Sequence, residues 1–178
     1  ANPSESQVVI LKWRIKSWFS SISPSKVEKL KAYHDLIIQW NKVVNLVSPQ
    51  SIGDMDRVHM ADSIQGSQII AEHLATLDIQ SGQIADLGSG NGYPGVVFAI
   101  LFPQFDVIAV EIDQKKASFL TQVKIKLSLN NFSVRNQKIE DAHPTLGRLF
   151  MSRAVGDVSK ILDILSNHSP QGGQSSQK

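Results

Sequence analysis

Asp86-Leu87-Gly88-Ser89-Gly90-Asn91-Gly92-Tyr93-Pro94-Gly95 is the stretch that decides how this 178-residue chain folds. Ahead of it, Gln83 to Leu87 is a short apolar run ending in glycine, which predicts a buried strand. Behind it, Val96 to Phe102 predicts a short helix stopped by Pro103. Glycines at 88, 90 and 92 let the backbone turn sharply and approach a ligand with no side chain between them. Pro94 can open the following helix, whose free N–H groups favour a carboxylate or phosphate. A dinucleotide fingerprint would place its third glycine at 93, where Tyr93 stands instead. Asp86, just before the first glycine, also argues against two phosphates crowding there.

Further along, Asp106–Ile112 reads as a second strand, Lys115–Leu129 as a helix, Phe132–Gln137 as a third strand and Arg148–Arg153 as a fourth. A last helix is expected over Asp157–Ser166. Strands alternating with helices through short connections imply right-handed crossovers and a parallel α/β sheet, with ligands at the carboxyl ends of the strands. Glu111 falls at the end of the second strand, where its carboxylate can accept hydrogen bonds from both hydroxyls of a ribose. An acid before a glycine loop, plus a ribose-binding acid, is what an S-adenosylmethionine site requires. The loop takes the methionine end, Glu111 the ribose and an apolar pocket the adenine. The expected fold class is therefore a Rossmann-like class I methyltransferase sheet. The plainer alternative is an ordinary glycine turn with Glu111 as a surface acid.

Charge is distributed unevenly. Residues 61–110 carry five acids and no Lys or Arg, which suits a cationic sulfonium. The first 60 residues hold eight Lys/Arg against five acids, and Lys115 to Lys138 holds six basic residues and no acid. Solvated helix faces and a phosphate-binding surface both fit this layout. The absence of cysteine excludes disulfide scaffolds, cysteine-based metal centres and thiol nucleophiles. The longest apolar run, Val96 to Phe102, is too short to span a membrane. Ala1 to Gln7 lacks the pattern of a signal peptide, so a cytoplasmic setting is expected.

Before residue 82 the pattern is helical. Val8, Leu11, Ile15 and Trp18 form one stripe, and Trp13 and Trp18 are expected to pack in a core or between helices and not to serve as base-stacking platforms. Val27, Leu30, His34, Ile37 and Trp40 form a second stripe behind a Ser23-Pro24 start. A third helix is expected from about Ile52 through Ile70, interrupted near Asp62-Ser63. Residues 1–80 are thus read as an N-terminal helical subdomain, 81–170 as the α/β domain, and 171–178 as a flexible tail or truncated strand.

The sequence resembles the RsmG (GidB) family of small-subunit (16S) ribosomal RNA methyltransferases. The resemblance spans about residues 33–165. It rests on Trp40-Asn41…Asn45-Leu46, His59-Met60-Ala61-Asp62-Ser63, the loop from Asp86 to Gly95, Lys115-Lys116…Phe119-Leu120 and Ser152-Arg153-Ala154. It implies adenosylmethionine contacts at Gly88, Tyr93, Ile139, Glu140 and Arg153, with Glu111 on the ribose. It also implies methyl transfer to N7 of a guanine in small-subunit ribosomal RNA, by a monomer acting on RNA or a pre-ribosomal particle. N7 has an in-plane lone pair and no proton, so no general base is needed. Lys138 stands where the family usually has arginine, which keeps the charge but loses the planar fork. Gln174-Ser175-Ser176-Gln177 stands where an apolar strand is expected, so the C-terminal strands of the family sheet are expected to be missing.

The remaining candidates keep two readings each. His59, Asp62 and Ser63 are either RNA-facing or a helix cap or turn; they are too few for a metal site. Lys115 and Lys116 open a helix, where cations are disfavoured, which suits an RNA-phosphate role. Arg153 is the catalytic candidate, holding base or phosphate, or else a structural ion-pair partner. The rival functions are a non-catalytic RNA-binding remnant and a small-molecule methyltransferase.

Overall fold

The computed structural model of this chain describes residues 11–153 and 158–167. Val8, Ala154, Asp157 and the tail 171–178 lie outside those residues. Among the described residues, four strands form one sheet: β1 (Gly82–Leu87), β2 (Phe105–Val110), β3 (Phe132–Arg135) and β4 (Leu149–Met151). Their order is β3-β2-β1-β4 and every pair is parallel. The chain first moves outward from β1 to β2 and β3, then returns to the other side of β1. That reversal puts a switch point at the carboxyl ends of β1 and β4, where open α/β sheets bind ligands.

Side-chain alternation gives the sheet two apolar faces. Ile84, Val107 and Ala109 belong to a large core shared with α2 (Pro24–Trp40), α4 (Asp62–Thr76), α5 (Gly95–Leu101) and α6 (Gln114–Lys126). Ala85, Leu87, Ile108 and Val110 face a smaller core closed by Ile139 and Ala142 of α7 (Ile139–Ala142) and by Ile161 and Leu165 of α8 (Val158–Asn167). All seven residues of α5 are buried, because this helix lies between the sheet and the helices α2 and α4. The uninterrupted apolar run of Val96 to Phe102 thus reflects burial on every side.

Two expectations for the helical part require correction. Among the described residues, the first stripe forms the short α1 (Ile15–Trp18). Ile15 is fully buried, but Leu11 is 45% and Trp18 43% exposed, so Trp18 is not a core residue. The reason lies in residue 14. Asp56, itself 0% exposed, accepts from the Arg14 backbone N–H at 2.9 Å and from its guanidinium at 2.7 Å. This capture fixes the backbone at the helix start. Trp13 does pack inward, its ring 5.1 Å from that of buried His34.

The second correction concerns the third helix. A π-helical turn, Asp56–Ala61, runs directly into α4 with helical backbone at the join. Asp62 and Ser63 therefore lie within a continuous rod, and neither caps it. The break falls earlier, between α3 (Pro49–Ile52) and the π turn. At α2, Ser23 precedes Pro24 as expected, but its hydroxyl meets Ser25 at 3.3 Å and makes no cap bond.

Asp56 links α1 to the π turn, so Asp56→Asn should lower stability by about 2–4 kcal/mol, close to the cost of breaking a buried pair. Urea unfolding checks this; a loss under about 0.5 kcal/mol, the size of a surface substitution, would show that the pair contributes little.

Candidate functional site

After β1 the chain turns under tight hydrogen-bond control. Gly88 and Ser89 both donate to the Val110 carbonyl, at 2.9 and 3.1 Å, which ties the loop to the end of β2. Gly88, Gly90 and Gly92 have φ of 69°, 55° and 95°, a region that disfavours other residues. Their surroundings differ. A Cβ on Gly90 would meet only the Gly88 carbonyl, at 3.8 Å. A Cβ on Gly92 would lie 2.7 Å from both the Tyr33 hydroxyl and Val96 Cγ2. Gly92 is thus required by packing against the protein itself, while the backbone at Gly90 stays open to a ligand.

The two acids lie on different sides of the loop. Asp86 shares the sheet face of Ile84 and is 1% exposed. Its Oδ2 accepts from Gly95 N at 3.3 Å, so the first turn of α5 receives a carboxyl oxygen from the protein itself. Gly95 permits this, because a Cβ there would collide with that carboxylate. Burial pushes the Asp86 carboxyl up to about 7, with the nearby Glu111 charge adding to the effect. Glu111, 7% exposed, accepts from Gly90 N at 2.7 Å and from Asp113 N at 2.8 Å. Each of its oxygens keeps further acceptor capacity for a hydroxyl. Asn136 donates to the carbonyls of Glu111 and Ile112, at 2.8 and 3.0 Å, which fixes this strand end.

The His59-x-x-Asp62-Ser63 element meets Arg153 at the carboxyl end of β4. The Arg153 guanidinium donates to the Val58 carbonyl and to Asp62 Oδ2, both at 3.1 Å, and reaches Ser63 Oγ at 3.5 Å. The His59 ring stacks on Tyr93, with centroids 5.6 Å apart and 20° between planes. His59 Nε2 also meets Ser51 Oγ at 3.3 Å. Burial, and then the Arg153 charge, lowers the His59 pKa and keeps the ring neutral. Tyr93 is buried, and its hydroxyl is pushed far above its usual range by that burial.

The other candidates occupy the same sheet edge without joining this cluster. Ile139 packs on the smaller core, and Glu140 is exposed at the start of α7. Lys115 and Lys116 open α6, and Asp113 offsets their unfavourable position by accepting from their backbone N–H groups at 2.8 and 3.0 Å. Those bonds hold the Asp113 carboxyl below its usual range. Among the described residues no group of three or more acids or histidines could hold a metal. No described helix is long and apolar enough to cross a membrane.

Several supporting residues gave no chemical signal in the sequence. Tyr33 donates to the Asn91 carbonyl at 2.6 Å, and Asn91 Nδ2 donates to the Leu46 carbonyl at 2.9 Å. Asn41 Oδ1 accepts from Leu46 N at 2.8 Å and from Val47 N at 3.0 Å. The Trp40-Asn41…Asn45-Leu46 element is thereby a brace for the glycine loop. Ser152 Oγ donates to the Leu87 carbonyl at 3.0 Å. Asn41, Leu46 and Ser152 stand in motifs that carry the family resemblance, which is the signal that pointed to them, whereas nothing pointed to Tyr33.

Two predictions follow from this geometry. Gly90→Ala should cost about 1–2 kcal/mol, the strain of a left-handed residue alone, while Gly92→Ala should add about 1–3 kcal/mol of overpacking to such strain; equal losses on urea unfolding would refute the distinction. Asp86 carries a pH signature. Its folded value of about 7 against an ordinary 3.8 means the folded chain keeps a proton that the unfolded chain has lost. Stability should therefore fall as pH rises between those values and level off above them. Relative to the parent, Asp86→Asn should gain stability from about pH 4.5 to about pH 7.5, and parallel urea-midpoint profiles would contradict a raised Asp86.

The chain is similar in sequence to known proteins. The GidB family, described as rRNA small subunit methyltransferase G, matches residues 26–176. Ribosomal RNA small subunit methyltransferase G 3 of Bdellovibrio bacteriovorus is 39% identical over 169 residues, 95% of this chain and 75% of that protein. Ribosomal RNA small subunit methyltransferase G of Ralstonia nicotianae is 32% identical over 150 residues, 84% of this chain and 67% of that protein. Among solved structures, a precorrin-6y C5,15-methyltransferase from Geobacter metallireducens covers 57% of this chain and 56% of its own, at 20% identity and a TM-score of 0.42. With most of its length matched, and the loop, the His59-x-x-Asp62-Ser63 element and Arg153 gathered at one sheet edge, this chain belongs to the GidB family of methyltransferases, rRNA small subunit methyltransferase G.

Proposed function

We propose that this chain binds S-adenosylmethionine at the carboxyl edge of β1 and β2 and methylates N7 of a guanine in small-subunit ribosomal RNA. The observation that carries this is the convergence of an open glycine backbone, an acid at the end of β2 and an arginine beyond β4 on one edge. The donor set fits the cofactor. Gly88 and Gly90 present backbone without side chains, and Glu111 has acceptor capacity for ribose hydroxyls. Two buried atoms beside the loop, Asp86 Oδ1 and Tyr93 Oη, have no partner among the described residues. Ile139 and Glu140 would border the adenine end.

When bound, the cofactor supplies a sulfonium-activated methyl group. N7 of guanine offers a lone pair with no proton to remove, so the protein needs no general base. Its work is orientation, which can be worth up to about 7–11 kcal/mol in the best-aligned cases. Arg153, fixed by Asp62, Val58 and Ser63, has donors left over to hold the guanine. His59 stays neutral and keeps Tyr93 in place by stacking. In this reading residues 1–80 form a helical subdomain that holds RNA, with His59, Asp62 and Ser63 at its contact with the cofactor part, residues 81–170. Lys115 and Lys116 meet RNA phosphates. The partner is ribosomal RNA or a pre-ribosomal particle in the cytoplasm, met by a monomer.

Calorimetry with adenosylmethionine tests the site. Gly88→Asp should abolish binding, and Glu111→Ala should weaken it about tenfold or more, as expected for charge-assisted bonds. Unchanged affinity in both variants would sink the assignment. Arg153→Ala should depress methyl incorporation into unmodified small-subunit RNA by about a hundredfold, in line with loss of one positioning contact.

A further inference from the structure

A second concavity lies beside the Arg153 cluster. An open cleft of about 390 Å³ is lined by Trp18, Phe19, Arg57, Ala61, Asp62 and Gln65. Trp18 is a large aromatic left 43% exposed. The Arg14 guanidinium lies 4.6 Å from the centroid of its ring. That guanidinium is itself held by Asp54 and Asp56, at 2.5 and 2.7 Å, so the indole rests on a fixed backing. Arg57 is mostly exposed on the far wall and pairs with Asp54. Gln65 is exposed and offers an amide with both donor and acceptor.

The cleft wall carries one cation, Arg57, and one acid, Asp62. The segment that brings Trp18 and Phe19 to it, residues 11–22, holds Lys12, Arg14 and Lys16 and no acid. An aromatic platform, an amide and a nearby cation are what an unpaired nucleotide needs: stacking for the base, hydrogen bonds for its edge, a cation for its phosphate. Asp62 lines this cleft and also pairs with Arg153, which places the cleft next to the reacting edge.

We propose that this cleft receives the base of an unpaired RNA nucleotide adjacent to the methylated guanine. The base stacks on Trp18, Gln65 reads its edge, and Arg57 with Lys16 of α1 meets its phosphates. This inference rests on the RNA reading above and adds a specificity-determining subsite to it.

The test uses the full chain, a labelled single-stranded RNA oligonucleotide and unmodified small-subunit RNA. Trp18→Ala should weaken RNA affinity about tenfold or more, the effect of losing one base–aromatic stack, while Trp18→Phe stays within about threefold of the parent. RNA should quench tryptophan emission in the parent but much less in Trp18→Phe, where only Trp13 and Trp40 report. Gln65→Ala should relax the preference for the neighbouring base. Adenosylmethionine affinity should be unchanged in all three. Parent-like RNA affinity in Trp18→Ala, or full quenching in Trp18→Phe, would overturn the proposal while leaving the methyltransferase reading intact. If Trp18→Ala does not fold, the Trp18→Phe quench and the Gln65→Ala preference decide. Quenching by a ribosomal protein and not by RNA would also overturn it. A parent that binds adenosylmethionine but no RNA would overturn both this subsite and the RNA substrate.

Discussion

The hydroxyl of Tyr33 donates to the carbonyl of Asn91 at 2.6 Å, and the shape of the glycine loop depends on that bond. Tyr33 is fully buried, and burial raises its pKa so that it remains a neutral donor. Its hydroxyl occupies the space where a Cβ on Gly92 would have to go. The loop is therefore shaped from outside by α2 as much as from within by its own glycines. Asn91 extends the connection to Leu46, and Asn41 holds the segment that presents Leu46. Without the helical part, the strand–loop–helix unit would lose the surface against which it is moulded.

Two arginines from opposite ends of the chain converge on residues 54–63. Arg14 meets Asp56, whose side chain is 0% exposed, while Arg153 meets Asp62, which is 62% exposed. The difference in burial separates their roles. A buried carboxylate with its partner removed is left uncompensated, so the first pair holds structure. An exposed pair is worth little by itself, so the second can reorganise at low cost when a substrate arrives. The π-helical turn between them carries His59, which faces Tyr93. Widened turns of this kind recur at functional sites, and here one brings a ring from the helical part onto the loop.

Much of this was legible in the sequence because it was written in local patterns. The strand, glycine loop and helix from Gln83 to Phe102 follow from apolar runs with glycine and proline punctuation, and β1 and α5 fall there. Glu111 could be placed at the end of β2 for the same reason. Trp18 could not be placed, since its stripe is interrupted by Arg14, which is captured by an acid forty-two residues away. Asp62-Ser63 read as a break because polar residues commonly cap helices, yet π-to-α continuity carries them through. The orientation of Asp86 was equally hidden. Alternation places it on the α5 face, but only tertiary packing shows that Gly95 N is its partner.

Asp62 connects the two halves of the functional argument. It is one wall of the Trp18 cleft and the ion-pair partner of Arg153. Arg153 is held by the Val58 carbonyl and Ser63 as well as by Asp62, so its place beside the carboxyl edge of β4 does not rest on one exposed pair. A carboxylate has acceptor sites for more than one donor, so a base amino group seated in the cleft can share Asp62 while Arg153 stays where it is. The same side chain can thus serve both the cleft and the arginine, with no movement of the sheet.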